Sequence, residues 1–177
     1  MPVTATDVAS YTSDRVTGDA AERLLSASLA TARRFCGWHV APVQSDVVKR
    51  DGDGGRLLRL PTLRLVTLTS VIENGVDITA DVVESGDAAG CLYKAAGGRW
   101  CRGIANITVS FTHGFDDAPD FDAALLSWID RTSFAAGGGR PNVVGPVQWP
   151  VEEMATGSAF SAVERSLLES FRLESPA

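Results

Sequence analysis

The sequence lacks any long hydrophobic run, any basic run and any abundance of histidine or cysteine. No apolar segment approaches the roughly 20 residues that a membrane-spanning helix needs, so a membrane span is excluded. The formal net charge is −6. Because Lys and Arg are not clustered, the composition argues against a surface that binds duplex DNA through its phosphates. With two histidines in the chain, a histidine-based catalytic triad would have to use one of them.

The three cysteines are an odd number, which does not suit a disulfide framework. Residues 1–10 have neither the basic start nor the apolar core of a signal peptide. We therefore expect synthesis in a reducing, cytosolic compartment. The composition is otherwise ordinary, since 45% of the 177 residues are hydrophobic and 21% are charged. A chain of this length can bury a true core as one domain.

Helix signals lie at both ends of the chain. Thr4 with Asp7, and Ser161 with Glu164, have the spacing of a capping box, and Asp19 is a candidate N-cap ahead of an apolar stripe. Another helix is expected from about Asp120, where apolar residues recur at helical spacing. The sequence predicts helices at about 4–12, 19–36, 120–135 and 161–173, and a flexible Gly- and Pro-rich loop at about 137–160.

The middle of the chain, about residues 43–112, consists of short β-prone runs separated by turn chemistry. Asp51-Gly52-Asp53-Gly54-Gly55 predicts a hairpin between strands at 44–50 and 56–60, and Asn74-Gly75 predicts a second, tighter hairpin. Further strands are expected at 82–84, 91–94 and 99–102. A last strand is predicted at 104–111, because the residues alternate with the two-residue period of a strand that has one buried face. One set is Ile104, Asn106, Thr108 and Ser110, and the other is Ala105, Ile107, Val109 and Phe111.

These elements predict an α+β fold. A small helical core, built from N-terminal, central and C-terminal helices, carries a β-rich insertion of hairpins. The strand at 104–111 ends at Gly114 and leads into the central helix, so that segment joins the insertion to the core. The whole chain, residues 1–177, is expected to be a single domain.

A zinc site is incomplete in this sequence. Cys36-x-x-His39 has the spacing of half a site, and Cys91 with Cys101 could supply the other half. Zinc sites usually present two tight chelating pairs, whereas nine residues separate Cys91 from Cys101. We expect Cys36 and Cys101 to be small core residues instead.

Calcium and phosphate loops are incomplete as well. The loop that starts at Asp51 has Thr62 where a calcium loop needs its bidentate Glu. The glycines at 137–139 are not followed by the Gly-Lys-Ser/Thr of a phosphate loop. We expect no metal site and no cofactor.

His113 is the best candidate for acid–base chemistry, because Asp116, Asp117 and Asp120 follow it closely. No Gly-x-Ser-x-Gly or similar nucleophile motif accompanies it. A histidine that is hydrogen-bonded at the end of a strand explains the pattern better, and we expect no catalytic residues and no enzymatic activity.

Tryptophans outside a periodic pattern are candidates for contacts with neighbouring chains, since tryptophan is enriched at interfaces. Trp149 lies in the Gly- and Pro-rich loop, and folding back onto its own domain is an equal alternative for it. We predict a subunit or neighbour interface that includes Trp100, Arg140 and Trp149.

Four segments in succession resemble the head-to-tail connector, or adaptor, proteins of long-tailed bacteriophages, especially those of actinobacteria. The resemblance covers about residues 3–173, and no single motif is specific alone. The segments are Phe35-Cys36-Gly37-Trp38-His39-Val40-Ala41-Pro42, then residues 51–55 with Leu58-Arg59-Leu60-Pro61, then Val71-Ile72-Glu73-Asn74-Gly75, and finally Val109-Ser110-Phe111-Thr112-His113-Gly114-Phe115.

This resemblance implies a structural virion protein without enzymatic activity. Such proteins form a ring, commonly dodecameric, beneath the portal at the head-tail neck. The implied partners are other copies of the chain, the portal protein, and a head-closure, tail-terminator or other neck protein. Genomic DNA would pass through the channel without sequence-specific binding, and the protein would be made in the cytoplasm of the bacterial host.

The C-terminal helix is the predicted portal-docking element, because it is an amphipathic terminal helix on a small domain. The docking residues would be Arg165, Leu167, Leu168, Phe171 and Arg172. Packing of this helix on its own core is the alternative. For the whole chain, the alternatives are a tail-completion or head-closure protein and a small metal- or histidine-dependent hydrolase, with a nucleic-acid-binding module disfavoured by charge.

Overall fold

The computed structural model describes residues 3–85, 90–136, 143–144, 147–148 and 160–173. Its four helices are α1 (Ala5–Tyr11), α2 (Gly18–Cys36), α3 (Pro119–Ala136) and α4 (Ala162–Glu169). Its strands are β1 (Gln44–Gly52), β2 (Leu57–Arg59), β3 (Leu65–Glu73), β4 (Val76–Asp77), β5 (Val82–Glu84), β6 (Cys91–Lys94), β7 (Gly103–His113), β8 (Val143–Val144) and β9 (Val147–Gln148), with a short 3-10 turn at Thr79–Asp81. The predicted α+β class is confirmed, because two antiparallel sheets are inserted between the N-terminal and C-terminal helices.

The chain separates into two compact units. The sheet unit is Gly37–Asp117 with the residues from Leu173 onward, and the helical unit is Pro2–Cys36 with Ala118–Arg172. No helix in the described part of the chain is long and apolar enough to cross a membrane. The expectation that residues 1–177 act as one connector domain stays a prediction.

The helical unit begins and ends with helices that are capped as the sequence predicts. Thr4 caps α1 through a capping box with Asp7, and Ser161 caps α4 through a capping box with Glu164. Each box satisfies backbone N–H groups that a helix start otherwise leaves without partners. The last helix ends at Glu169 rather than near residue 173.

Small residues on α2 lie toward the interior of the helical unit. Ala21, Ser28, Ala32 and Cys36 are buried on this helix, while the longer Leu25 is half-buried. On α3 the apolar residues that recur at helical spacing in the sequence are all buried, namely Phe121, Ala124, Leu125, Trp128 and Ile129. Most helical stability comes from packing an amphipathic face of this kind.

The larger sheet, which we call sheet A, has the strand order β1-β7-β3-β4. β7 is its long central strand and pairs antiparallel with both β1 and β3. Ile107, Val109 and Phe111 of β7 point inward and are buried, as the alternation predicts. The Asn74-Gly75 hairpin between β3 and β4 is confirmed by the pairs Ile72 with Asp77 and Glu73 with Val76.

The smaller sheet, sheet B, has the order β2-β6-β5. β5 and β6 have the predicted boundaries, and the chain from 99 to 102, predicted as a strand, is not one. Buried residues of both sheets pack into one hydrophobic cluster. Its members are Leu58, Leu60, Val71, Val82, Leu92, Trp100, Ile107, Val109 and Phe111.

The predicted hairpin across residues 51–55 is wrong. β1 pairs with β7 in sheet A, whereas β2 pairs with β6 in sheet B, so these two neighbouring strands belong to different sheets. Gly52 is nevertheless required at its position, because a Cβ added there would lie 1.7 Å from the carbonyl oxygen of Cys101. The loop therefore connects the two sheets instead of reversing the chain within one.

The predicted flexible loop at about 137–160 lies largely outside the described residues. Within it the structure describes β8 and β9, which pair antiparallel through Val143 with Gln148 and Val144 with Val147.

Candidate functional site

His113 lies inside the sheet unit. Its side chain is buried, and its Nε2 is 3.0 Å from Oδ2 of Asp46, a carboxylate on the neighbouring strand β1. The ring packs near Phe111 and Trp38, and Nδ1 is buried without a hydrogen-bond partner in the described structure. A general base needs access to a substrate proton, which this position does not offer. His113 is thus hydrogen-bonded at the end of β7, as the sequence predicts, and its partner lies on the neighbouring strand β1.

The cysteines offer no evident metal centre. Among the described residues, no group of three or more His, Cys, Asp or Glu side chains is placed to hold a metal ion. Burial raises the pKa of the Cys36 thiol to about 12, so it is neither a ready nucleophile nor a ready ligand. Cys91 is buried as well, but Cys101, expected in the core, is exposed.

One face of α4 is held against α3 by a buried carboxylate. Glu164 accepts hydrogen bonds from Arg131 Nη2 at 2.8 Å, from Ser127 Oγ at 3.1 Å and from the backbone N–H of Ser161 at 2.7 Å. Burial raises the pKa of Glu164, but the bonds from Arg131 and Ser161 outweigh it and leave the pKa below its ordinary value. The same residue therefore caps α4 and anchors it.

The predicted portal-docking residues separate into two groups on α4 and the residues after it. Leu168 is fully buried, Leu167 is half-buried, and Phe171 is half-buried with its ring edge-on to Phe121. Arg165 and Arg172 are exposed. The apolar stripe thus packs within the helical unit, which was the alternative reading, and the two arginines remain at the surface.

The exposed side of α4 also carries an apolar side chain. Val163 is 73% exposed. Arg172 forms an exposed ion pair with Glu169 at 3.0 Å, and the guanidinium of Arg165 makes no ion pair among the described residues. The exposed side of α4 therefore presents the side chain of Val163 and the guanidinium of Arg165 to solvent.

Trp100, predicted at an interface, lies in the core of the sheet unit. It is 1% exposed, its Nε1–H donates to the carbonyl oxygen of Arg56 at 3.1 Å, and Lys94 Nζ lies 5.2 Å from its ring centroid. A side chain so buried packs its own chain, and the structure gives no support for an interface role, which stays untested. Arg140 and Trp149, the other two predicted interface residues, lie outside the described residues.

One end of sheet A presents an unusual surface, which we call the sheet tip (residues 51–55, 74–76 and 99–106). Ile104, at the start of β7, is 90% exposed, and Val76, at the start of β4, is 61% exposed. They lie at the same end of the sheet, since Gly52 pairs with Gly103 and Glu73 pairs with Ile107. The register puts Val76 on the side of Ile107, whereas Ile104 belongs to the outward-facing set of Asn106, so the two side chains lie on different faces of this end.

The backbone beside Ile104 is held in a strained conformation. Ala105 has φ +49°, in the left-handed region that non-glycine residues rarely adopt. Its N–H donates to Oδ1 of Asp51 at 2.5 Å. The next side chain, Asn106, accepts from the N–H of Gly52 at 2.8 Å and donates to the carbonyl oxygen of Cys101 at 3.0 Å. These bonds fix the position from which Ile104 projects.

Two arginines border the sheet tip. Arg99 Nη1 donates to the carbonyl oxygen of Gly54, and Arg102 Nε donates to that of Asp53, each at 3.2 Å. Neither guanidinium is paired with a carboxylate in the described part of the chain. The tip therefore combines exposed aliphatic groups with two arginines and the two aspartates Asp51 and Asp53.

A second strained and exposed segment connects α1 to α2. Ser13 and Asp14 are consecutive non-glycine residues with φ +52° and +57°. Tyr11, just before them, is 52% exposed. We call residues 11–22 the α1–α2 turn. Asp14, Asp19 and Glu22 are exposed within it and make no ion pair among the described residues.

No sequence motif marks either segment as a candidate site, although a weaker signal is present for one. Ile104 falls in the alternation set of Asn106, Thr108 and Ser110, which faces outward, so an aliphatic residue occupied a polar register. The left-handed backbone of Ala105 and Ser13 left no comparable mark, because neither is a glycine or an asparagine.

No protein-family model and no curated protein matches the chain. Solved structures do match its fold. A chain from the neck of the native gene transfer agent (GTA) particle, computed with C12 symmetry, aligns with 100% of this chain and 94% of its own length, at a TM-score of 0.61 and 14% identity.

Two further structures give the same result. A chain from the neck of the empty GTA particle, computed with C6 symmetry, matches with a TM-score of 0.57, and one from the virion of the native particle with 0.59. Both are 16% identical and cover 100% of this chain and 95% of their own. At these identities the likeness shows a common fold over the full length.

Proposed function

We propose that this chain is a structural protein of the neck of a phage-like particle, acting as a head-to-tail connector, or adaptor. The observation that carries this proposal is the fold shared along the whole chain with proteins from the neck of the GTA particle. The segments that resemble actinobacteriophage connectors point to the same role. In this role the chain has no catalytic step and acts by presenting surfaces to its neighbours.

The ring and its partners belong to the same proposal. Copies of the chain would form a closed ring, dodecameric in our expectation, with DNA passing through its channel. The rotational symmetry applied to the GTA neck, C12 in one case and C6 in another, supports a cyclic arrangement for proteins of this fold. Each contact in such a ring joins two different surfaces of neighbouring copies. The ring closes because the same rotation relates every copy to the next.

The exposed side of α4 is the proposed portal-facing surface. It presents Arg165 and Val163, while its opposite side packs on α3 through Leu168 and Glu164. A helix fixed on one side and exposed on the other can dock without refolding. This narrows the predicted docking set to Arg165 and Arg172, with Val163 added.

Deleting the chain after Ser161 is an unsuitable test of this surface. The deletion would remove the buried Leu168 together with Glu164. Loss of a buried leucine alone costs about 2–5 kcal/mol, so lost binding could reflect unfolding of the helical unit.

Charge reversal at the surface avoids that problem. Arg165→Glu should weaken binding to the portal protein of the same particle at least about tenfold in a pull-down titration. Arg23→Glu makes the same charge change at an exposed position on α2, away from α4, and should bind within about twofold of the unaltered chain. Unchanged portal binding by Arg165→Glu would remove α4 from the docking surface.

Electron microscopy tests the function itself. Negative-stain images of the protein mixed with portal should show a ring at the outer end of the portal. A ring found instead at the distal end of the assembled neck would favour a tail-completion or head-closure protein. The hydrolase alternative has no supporting geometry, since its expected base, His113, is buried.

A further inference from the structure

The pair Asn74-Gly75 at the sheet tip has a chemistry of its own, beyond the turn that it makes. The backbone nitrogen that follows an asparagine can attack the side-chain amide carbon, Cγ, and close a succinimide ring. Because both groups belong to one chain, the attack needs no encounter between molecules. A glycine as the following residue hinders the attack least, since it has no side chain.

The surroundings of Gly75 leave room for this reaction. Asn74 and Gly75 are both exposed, and among the described residues no heavy atom outside the chain neighbours of Gly75 lies within 4 Å of a Cβ built on it. The other two asparagines are followed by β-branched residues, Asn106 by Ile107 and Asn142 by Val143, whose side chains crowd the backbone nitrogen. Asn74 is therefore the asparagine whose neighbour favours ring closure most.

The turn itself holds the reaction back. Asn74 has φ +51° and Gly75 has φ +82°, and two consecutive positive values define a type I′ turn. In that turn the backbone nitrogen of the second residue lies trans to the Cβ of the first, on the far side of the Cα–C bond. The nitrogen of Gly75 therefore reaches Cγ of Asn74 only after the main chain has rotated out of the turn.

Hydrogen bonds with Asn106 keep the turn closed. The N–H of Asn74 donates to the carbonyl oxygen of Asn106 at 2.8 Å, and Nδ2 of Asn106 donates to Oδ1 of Asn74 at 3.3 Å. Backbone groups fix the orientation of the Asn106 amide, since its Oδ1 accepts from the N–H of Gly52 and its Nδ2 donates to the carbonyl oxygen of Cys101. Asn106 thus restrains both the backbone and the side chain of Asn74.

Strand β4, which follows the turn, is the element whose opening would release Asn74. It is two residues long and lies at the border of sheet A, paired through Ile72 with Asp77 and Glu73 with Val76. Short border elements with few contacts open locally at a lower free-energy cost than core strands do. The reactive geometry can therefore form while the rest of the sheet unit stays folded.

We propose that Asn74 is a self-modification site and that opening of the β3–β4 turn controls its rate. In the opened turn the nitrogen of Gly75 gives its proton to water and attacks Cγ of Asn74, and the side-chain nitrogen leaves as ammonia. Water then opens the succinimide at either carbonyl, which leaves aspartate or isoaspartate at position 74. Water is the only co-reactant, and nothing is oxidised or reduced.

The modification changes the turn permanently. Either product adds a negative charge next to Glu73 and close in sequence to Asp77. Isoaspartate also lengthens the main chain by the Cβ atom, so positions 74 and 75 no longer fit the two-residue turn between β3 and β4. The modified hairpin cannot close as the original one does. This inference is independent of the proposed neck function, because it depends only on the chemistry of one chain.

Peptide mapping by mass spectrometry tests the proposal on the full chain. Folded protein and the same protein unfolded in urea are incubated at mildly alkaline pH, and conversion of each asparagine is followed by its mass change and by isoaspartate labelling. Asn74 should convert at least about tenfold faster in the unfolded protein, because the closed turn must first open in the folded one. In the unfolded protein Asn74 should also convert faster than Asn106 and Asn142.

A variant tests the restraint that is given to Asn106. Asn106→Ser should speed conversion of Asn74 in the folded chain by about twofold to tenfold, the effect of losing one typical hydrogen bond. Ser45→Ala is the matched control, since it removes the hydrogen bond between Ser45 Oγ and Thr112 Oγ1 elsewhere in sheet A and should leave the rate unchanged. Circular dichroism establishes that both variants are folded.

Each outcome has a definite meaning. Equal rates in folded and unfolded protein would overturn control by the turn, and faster conversion of Asn106 or Asn142 in the unfolded protein would overturn the choice of site. A folded Asn106→Ser variant that reacts no faster than the unaltered chain would contradict the restraint. If that variant does not fold, the comparison of folded with unfolded unaltered protein decides alone.

Discussion

At the scale of single residues, two buried glutamates connect elements that are distant in sequence. Glu164 joins α4 to Arg131 on α3, and Glu73 joins β3 to Lys94 on β6 at 2.6 Å. Glu73 also accepts from the N–H of Cys101 at 2.8 Å. The sequence reveals the capping role of Glu164 from its spacing to Ser161, but it gives no sign of either cation, because these partners come together only in the folded chain.

Glu164→Gln should lower the free energy of unfolding of the helical unit by about 1–3 kcal/mol, because Arg131 would lose its charged partner in a buried position. Urea denaturation followed by circular dichroism measures this loss. Glu169→Gln is the control, since the Glu169–Arg172 pair is exposed on both sides and should contribute less than about 1 kcal/mol. Equal losses for the two variants would contradict the role given to Glu164.

Glu73 predicts an acid-dependent loss of stability. Burial raises the pKa of Glu73, but the hydrogen bonds from Lys94 and Cys101 outweigh this effect and leave the pKa below the ordinary 4.5. A carboxylate with a lowered pKa in the folded state contributes stability above its unfolded pKa, and that contribution is lost as the pH falls through the folded value. In urea denaturation series from pH 7 to pH 3, the midpoint urea concentration should begin to decrease once the pH drops below about 4.5. In Glu73→Gln this decline should be shallower, and an unchanged slope would contradict the assignment.

At the scale of elements, local signals predicted what local physics controls. The capping boxes at Thr4 and Ser161 and the Asn74-Gly75 hairpin are confirmed, because each depends on contacts within a few residues. The hairpin expected across residues 51–55 failed for the opposite reason. β1 pairs with β7, and no turn sequence encodes a partner that lies more than fifty residues away.

The candidate surfaces also differ in whether local sequence could predict them. Arg165 could be placed on the exposed side of α4 from the helical period alone. Arg99 and Arg102 are brought to the sheet tip by hydrogen bonds to residues 53–54, from the other end of the sheet unit's sequence. Their importance therefore depends on the topology and could not be read from the chain.

Substitutions at two glycines distinguish the free-energy cost of backbone strain from that of a steric clash. Gly75 has φ +82° with no atom within 4 Å of an added Cβ, whereas an added Cβ at Gly90, φ +69°, would lie 2.2 Å from the carbonyl oxygen of Thr62. Gly75→Ala should cost about 1–2 kcal/mol from strain alone. Gly90→Ala should cost about 1–3 kcal/mol more, because backbone must move. Thermal unfolding of the two variants gives the comparison, and equal costs would show that Thr62 yields freely.

At the scale of the whole molecule, charge is the property that bears most directly on the proposed channel. The chain carries 22 acidic and 16 basic residues. An acidic protein repels DNA phosphates weakly, which would let DNA slide through a ring without being held.

The purified chain should therefore bind duplex DNA weakly or not at all at physiological salt. Fluorescence anisotropy of a labelled duplex, repeated at several salt concentrations, measures this directly. Replacing Asp14, Asp19 and Glu22 with Lys should introduce binding that weakens steeply as salt rises. Strong salt-dependent binding by the unaltered chain would contradict a passive channel.

Strand β1 has a consequence for the chain before it assembles. It is a nine-residue strand at the border of sheet A, with one row of backbone groups that pairs with no other strand in the described residues. Such borders invite strand-by-strand polymerisation into fibrils. Asp46 and Arg50 face the same side as the buried Phe111 and Ile107, so a strand added at this edge would have to place its inward side chains beside two charged residues. Charged side chains at these positions therefore protect the edge of sheet A against amyloid-like growth.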